Sequence, residues 1–253
     1  MIDKMRCAIL AEELRAQFNS GNLSPIDVFR LAQNVPRLSV VLYPLGKSIS
    51  GLCIKHSEFS LIAINSEQTY GRQRFTLSHE LFHLYYDQQS NTVICPSKTS
   101  IKNDIEREAD SFASFLLLPR LALINEIRNK QLSPANALDD DFLRKIIEIE
   151  QRYEISRGAL LVRLEDEKAI SAEQNDWLKI NIKKNARRLG FSTTLYSNRQ
   201  GSGAKTTDGY YIDLVADLLA GNAISRGKAK ELLADGFRDD IYVTELEGDE
   251  IFD

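Results

Sequence analysis

One pentapeptide, His79-Glu-Leu-Phe-His83, constrains this chain more than any other stretch of its sequence. On a helix, the two histidines lie on one face and one turn apart. That spacing lets both imidazoles reach one Zn²⁺ ion at about 2.0–2.1 Å. Glu80 lies about 100° round the helix from His79, where its carboxylate can reach a water molecule beside the same ion. The stretch therefore predicts a zinc site with two histidine ligands and a glutamate as general base.

The surroundings of this motif favour the metal over the alternative of two ordinary histidines. The 253 residues include only three histidines, and two of them stand in the motif. Apolar residues in and around the motif predict a buried helix: Phe75, Leu77, Leu81, Phe82 and Leu84. Buried imidazoles need polar partners, and a metal ion is a suitable one.

A catalytic zinc also needs a third protein ligand and an open position for water. The best candidate lies in the stretch 105–119, where apolar residues recur at helical spacing until Pro119. On this helix Glu106 and Asp110 share a face. Glu106 is predicted to be the third ligand, and Asp110 to accept a hydrogen bond from the far nitrogen of a ligand histidine. The alternative for Glu106 is a solvated carboxylate at a helix start.

Together with these motifs, further stretches make the chain resemble the ImmA/IrrE family of zinc metallopeptidases over about residues 5–165: SPIDVFRLAQ, SGLCI, RQRFTLSHE and EREADSFASFLLLP. The resemblance implies an α+β fold. Its catalytic core would be zincin-like and similar to thermolysin, with a small twisted sheet and an active-site helix, followed by a helical C-terminal extension. Phe82 departs from the family, whose members often carry a small residue there, and is expected to alter packing more than chemistry.

The resemblance also implies a function. Members of the family are cytoplasmic, site-specific endopeptidases with one catalytic zinc ion per chain. Their substrate is a helix-turn-helix transcriptional repressor, often encoded nearby. Its cleavage derepresses a mobile element, a prophage or a stress response.

The composition is that of a globular protein without the excess of basic residues that is typical of nucleic-acid binders. Apolar residues make up 43% and charged residues 27% of the chain, so disorder is not expected. The net charge of −4 argues against a dedicated high-affinity nucleic-acid binder. The cysteines, Cys7, Cys53 and Cys95, lack CxxC spacing and are predicted to be reduced thiols. The absence of a signal-peptide pattern and of a long apolar run favours a cytoplasmic protein with no membrane partner.

The N-terminal part alternates helix and strand signals. Residues 2–18 predict an amphipathic helix with this buried stripe: Met5, Ala8, Ile9, Leu14 and Phe18. Ser24 and Pro25 predict the start of a second helix. Three β-like runs follow at 38–43, 51–55 and 59–65. The last run is predicted to border the cleft, where an extended substrate would pair with its free edge.

Three further residues are candidates for contact with the substrate or the oxyanion. His56 stands in a predicted turn at 56–58, although a lone histidine in a turn is more often structural. Arg72 precedes His79 by seven residues and so lies near the ligand face. Tyr86 follows the motif closely, and its alternative role is that of an aromatic residue in the core or at the rim.

The stretch 140–170 predicts a helix, a short turn and a second helix capped by Ser156. In a DNA-binding protein, the second helix would present Arg157 and Arg163 to the nucleic acid. Acidic residues on the first helix, including Glu148, would repel phosphates. The alternatives are a packing unit of three helices and a docking surface for the repressor.

These signals divide the chain into three predicted segments. They are a zincin metallopeptidase domain at 1–130, a helix-turn-helix-like segment at 131–170 and a helical C-terminal region of unassigned role at 171–253. The last segment is predicted to contain a polar loop at 197–208, helices at 210–219 and 225–234, and an acidic tail at 245–253.

Two classes of function follow from the sequence. The leading one is a zinc-dependent endopeptidase that cleaves a repressor. The alternative is a non-catalytic regulator that binds DNA or a repressor and uses zinc for structure. Glu80 favours the enzyme, because a structural zinc site has no need of a general base. A peptidase with broad housekeeping substrates is a third and weaker alternative.

Overall fold

The computed structural model describes residues 2–88, 91–97, 103–198, 201 and 204–241, and it confirms the predicted α+β class. In chain order the elements are α1 Lys4–Gln17, α2 Val28–Gln33, β1 Leu38–Tyr43, β2 Ile49–Lys55, β3 Ser60–Asn65, α3 Tyr70–Tyr86, β4 Thr92–Pro96, α4 Asp104–Leu117, α5 Arg120–Lys130, α6 Asp140–Tyr153, α7 Arg157–Asp166, α8 Ala172–Leu178, α9 Ile182–Arg188, β5 Thr206–Gly209, α10 Tyr210–Ala220 and α11 Arg226–Asp235. A short 3₁₀ helix, Thr194–Tyr196, lies between α9 and β5.

The sheet has the strand order β4-β2-β3-β1-β5, in which β1 and β3 are parallel and the other neighbours antiparallel. Both edges of β3 are therefore occupied, since β2 and β1 pair with it on either side. For this reason, the expectation that residues 59–65 offer a free edge to a substrate is wrong. Among the described strands, the free edges belong to β4 and β5. The sequence signals did not predict β4.

Helix α3 approaches β2 closely at Gly51. A Cβ atom at position 51 would lie 2.6 Å from Cγ2 of Thr76 and 2.8 Å from Oε1 of Glu80. Any other residue at this position would therefore push the helix away from the strand. The predicted burial of α3 is confirmed, and it includes both histidines of the motif.

The first two helices differ in detail from the prediction. Met5 and Ile9 are 56% and 49% exposed. The predicted burial of Ala8 and Leu14 is confirmed, and α1 buries Cys7, Ala11 and Arg15 beside them in its contact with α4. Helix α2 begins at Val28 rather than at Ser24, because the side chain of Asp27 caps it by accepting hydrogen bonds from two backbone amides.

Helices α6 and α7 form the predicted helix-turn-helix-like pair, with Ser156 as the N-cap of α7. The prediction that Arg157 and Arg163 face a nucleic acid is wrong, since they are only 3% and 2% exposed. Arg157 instead forms a bidentate ion pair with Glu150. Arg163 donates a hydrogen bond of 2.8 Å to the carbonyl of Leu118. Both arginines therefore serve the packing of the helices.

The C-terminal region returns to the sheet. Part of the predicted loop at 197–208 forms β5, which pairs with β1. Helices α10 and α11 match the predicted pair and pack in a small apolar cluster around Val215, Ala229 and Leu233. The predicted tail at 245–253 lies outside the described residues, and the division into three segments stays a prediction. None of the helices in the described part has the length and apolar character needed to cross a bilayer.

Candidate metal centre

Helices α3 and α4 bring the three predicted ligand side chains together. The Nε2 atoms of His79 and His83 are 3.2 Å apart. One carboxylate oxygen of Glu106 lies 3.4 Å from Nε2 of His79, and the other lies 3.4 Å from Nε2 of His83. The three side chains thus converge on one point between the helices.

The start of α4 determines where Glu106 lies. Asn103 caps the helix by accepting a hydrogen bond of 2.8 Å from the amide of Glu106, which places Glu106 in the first turn. An adjacent face of α4 is anchored in the core by apolar side chains: Ala109, Phe112 and Leu116. Glu106 and Asp110 are consequently directed towards α3.

These distances fit a zinc ion. Bonds of about 2.0–2.1 Å to a tetrahedral ion place two ligand atoms about 3.3–3.4 Å apart. The Nε2–Nε2 separation of 3.2 Å is close to this value, and each imidazole faces its own oxygen of the Glu106 carboxylate at 3.4 Å. Two imidazoles and a carboxylate are also among the donors that zinc prefers.

Each ligand histidine is oriented by a carboxylate on its far side. Nδ1 of His79 donates to Asp110 at 3.0 Å, which is the contact expected from the sequence. Nδ1 of His83 donates to Asp87 at 3.1 Å. Such bonds hold the Nε2 atoms towards the centre. The sequence reading missed Asp87, although its position four residues after His83, at the C-cap of α3, is a usable signal.

The electrostatics of the cluster favour positive charge. Burial by itself lowers the pKa of His79, but hydrogen bonds to the carboxylates of Asp110 and Glu106 outweigh it and raise the pKa to about 9. Hydrogen bonds from His79 and His83 hold the pKa of the Glu106 carboxyl well below its usual range. The donor set therefore attracts a cation, as a zinc site requires.

Glu80 is fully buried beside this cluster. Among the described residues, neither of its carboxylate oxygens has a well-aligned hydrogen-bond partner, and the Cys95 thiol is a polar group that interacts with this carboxylate. Burial raises the pKa of Glu80. The adjoining pocket measures about 20 Å³, which is room for about one water molecule. A buried carboxylate of this kind requires a polar group to bind in that pocket.

Cys95 on β4 is a further member of the cluster, and the sequence reading missed it. Its Sγ atom and the ligand atoms of His79, His83 and Glu106 all lie within 4.8 Å of one another. The run Thr-Val-Ile-Cys at 92–95 is a weak strand signal that could have placed the cysteine on a strand.

The structure brings one of the three candidate cleft residues to the centre. Arg72 is exposed and lines the metal pocket. His56 lies exposed just after β2, where its ring stacks on that of Phe59. Tyr86 points to α1, where its hydroxyl donates to the carbonyl of Leu10 at 3.2 Å. The structure thus does not bring His56 or Tyr86 to the metal pocket, and their contact with a substrate stays a prediction.

A groove of about 660 Å³ adjoins the metal pocket. The two share Arg72, Phe75 and Asp110. The groove continues past Val162 on α7, Lys183 on α9 and Leu195 in the 3₁₀ helix.

The small sheet, the buried α3 with its paired histidines, and the carboxylates of α4 define a zincin-like peptidase core. The family model of the IrrE N-terminal-like domain, the M78 peptidases, matches residues 37–165. The match covers just over half of the chain, and the chain therefore belongs to this family. A search of the curated proteins finds no match.

Proposed function

We propose that the chain is a zinc-dependent endopeptidase that hydrolyses one peptide bond in a protein substrate. The observation that carries this proposal is the convergence of His79, His83 and Glu106 beside the buried carboxylate of Glu80. Three protein ligands and an adjacent general base are the parts of a catalytic zinc site.

The proposed mechanism assigns a task to each side chain. Zinc, when bound, lowers the pKa of a water towards ~7 and polarises the scissile carbonyl. His79, His83 and Glu106 hold the ion, and the two aspartates behind the histidines keep the imidazoles oriented. Glu80 takes the proton of the attacking water and delivers it to the leaving amine. Because burial raises its pKa, Glu80 holds this proton more readily than an exposed glutamate.

The groove beside the centre is the proposed binding site for the substrate. The metal pocket holds about one water, so a substrate side chain must lie outside it. A segment in the groove passes directly by the centre, because Arg72, Phe75 and Asp110 line both. Phe75 and Val162 suit apolar side chains, while the exposed Arg72 and Lys183 suit acidic ones.

The proposed substrate is a helix-turn-helix repressor encoded near this chain. Membership of the IrrE-like family and the resemblance to ImmA/IrrE peptidases support this choice. Cleavage would derepress a mobile element, a prophage or a stress response, and the reaction would take place in the cytoplasm.

The alternative is a regulator that binds DNA or a repressor around a structural zinc. The two arginines that suggested DNA binding in the sequence, Arg157 and Arg163, are buried, which argues against a regulator that binds DNA. A buried carboxylate without a well-aligned partner costs stability. A purely structural site gains nothing from Glu80 in that position, and this favours the enzyme.

The test is a cleavage experiment with Glu80→Gln as the matched control. The zinc-loaded protein is mixed with the repressor encoded nearest to it, and mass spectrometry identifies the fragments. We expect a single cut by the parent and none by Glu80→Gln, while both bind one zinc per chain. Cleavage at the parent rate by Glu80→Gln would contradict the mechanism.

A further inference from the structure

Cys95 is enclosed with the metal centre, although neither the motif nor the family assigns it a task. On the edge strand β4 it lies opposite Gly51 of β2, the residue at which α3 approaches the sheet. The cysteine is only 4% exposed. Its Sγ atom lies within 4.8 Å of each ligand atom of His79, His83 and Glu106.

Two buried polar side chains indicate that this pocket binds a ligand. The β2–β4 ladder has an irregular register between Ile49 and Gly51, and the intervening Ser50 lines the metal pocket. Within the described ranges, the hydroxyl of Ser50 and both oxygens of Glu80 are buried without a well-aligned hydrogen-bond partner. Ser50 and Glu80 are 5% and 0% exposed. The Cys95 thiol interacts with the Glu80 carboxylate. Buried polar groups of this kind need a bound group.

The thiol and a water molecule compete for one place. The pocket of about 20 Å³ is lined by Cys95 and Glu80 together with two of the ligands, His79 and Glu106. This space is sufficient for about one water. If the sulfur moves into the pocket, it displaces the water that the proposed reaction needs.

The Sγ atom of Cys95 needs to move only a short distance to bind an ion held by the other ligands. A tetrahedral ion with bonds of about 2.3 Å to sulfur and about 2.0 Å to nitrogen places these atoms about 3.5 Å apart. Since Sγ already lies within 4.8 Å of the other ligand atoms, a shift of about 1 Å suffices. β4 is paired on one side only among the described strands, which makes such a shift easier than in the middle of the sheet.

We propose that Cys95 is a fourth protein ligand that takes the place of the catalytic water in the resting protein. This inference rests on the proposed zinc centre and adds a means of keeping it latent. The S–H bond breaks and a sulfur–zinc bond forms, while the proton passes to the neighbouring carboxylate of Glu80. Cleavage then requires that a water displace the Cys95 thiolate. The thiolate takes its proton back from Glu80, which leaves Glu80 ionised as the base.

X-ray absorption at the zinc edge tests this directly in the zinc-loaded full chain. We expect one sulfur neighbour at about 2.3 Å and nitrogen or oxygen neighbours at about 2.0–2.1 Å. The sulfur signal should disappear in Cys95→Ser. It should remain in Cys53→Ser, a matched control, because Cys53 is equally buried on the adjacent strand but lies outside the cluster.

The spectrum separates failure of this inference from failure of the proposed function. Bound zinc with two imidazole neighbours but no sulfur in the parent would overturn the role of Cys95 and leave the peptidase centre intact. A sulfur signal that persists in Cys95→Ser would overturn it as well. A chain that binds no zinc, or binds it without imidazole neighbours, would overturn both. The parent spectrum alone decides the question if Cys95→Ser does not fold.

Discussion

Glu80 and Glu106 show how two carboxylates beside the same histidines acquire different tasks. Glu106 lies between the two imidazoles, and their hydrogen bonds hold its pKa below the usual range. Glu80 is buried without such partners, and its pKa is raised. A carboxylate that stays ionised suits a metal ligand, whereas one with a raised pKa suits a group that must hold a proton. These opposite environments support the proposed roles of Glu106 as a ligand and Glu80 as the base.

The residues behind the ligands give a prediction at the same scale. Asp110→Ala and Asp87→Ala each remove the hydrogen bond that orients one imidazole. We expect zinc affinity or cleavage rate to fall ~10–100-fold in each variant. Zinc affinity is measured by competition with a chromophoric chelator.

Glu108→Ala is the matched control for these variants. Glu108 lies on α4 as well but faces Arg6 at 3.8 Å instead of the centre. We expect its zinc affinity to equal that of the parent. Equal affinity and activity in Asp110→Ala and the parent would remove Asp110 from the support of His79.

The site residues that the sequence could identify are those whose relation is local. His79, Glu80 and His83 share one helix, and Glu106 and Asp110 share another, so helical geometry alone places each set on a face. Cys95 could not be found in this way, because its place depends on the pairing of β4 with β2. That pairing joins residues far apart in the chain and leaves no periodic signal.

At the scale of elements, the contact between α3 and β2 determines how close Glu80 lies to the sheet. Gly51→Ala adds a Cβ atom 2.6 Å from Thr76 and 2.8 Å from Glu80, so the helix must shift. We expect the free energy of unfolding to fall by about 1–3 kcal/mol and cleavage to be impaired. Urea denaturation measures the first effect.

Gly158→Ala on α7 is the comparison, because a Cβ atom there meets nothing within 4 Å. We expect this variant to keep or gain stability, by up to about 1 kcal/mol from helix propensity. If the two glycine variants were equally stable, the close approach of α3 to β2 would not be a constraint.

The strands were harder to predict than the helices for a physical reason. The runs at β1 and β3 are rich in β-branched and apolar residues, and the structure contains both strands. Their order in the sheet, however, depends on tertiary contacts. β3 adjoins α3 in the chain but lies inside the sheet, and the edge beside the metal centre belongs to β4 instead.

At the scale of the whole molecule, a buried ion pair joins helices α6 and α7. The Glu150–Arg157 ion pair is almost fully enclosed. Arg157→Ala leaves the buried carboxylate of Glu150 without its charged partner, with only the hydroxyl of Tyr196 still donating to it, and we expect a loss of about 3–5 kcal/mol in the free energy of unfolding. Chemical denaturation measures it.

Arg188→Ala is the control, since Arg188 pairs with Asp140 at the surface, where water screens the interaction. We expect its unfolding transition to match that of the parent. A parent-like transition for Arg157→Ala would mean that the buried ion pair does not stabilise the contact between α6 and α7.

The arginines of α7 also show a limit of sequence reading. A helix after a short turn with two arginines resembles a recognition helix, and the cap at Ser156 is present. Charge alone does not tell a solvated side chain from one that is buried and paired. Arg157 and Arg163 are buried because Glu150 and the carbonyl of Leu118 accept their hydrogen bonds, and these acceptors become neighbours only in the fold.

Anomalous diffraction from crystals of the zinc-loaded chain tests the metal centre most directly. Data collected above and below the zinc absorption edge locate the ion and identify the element. We expect one zinc peak per chain, within bonding distance of His79, His83 and Glu106. Absence of zinc from this position, or a peak bound by other residues, would contradict the proposed centre.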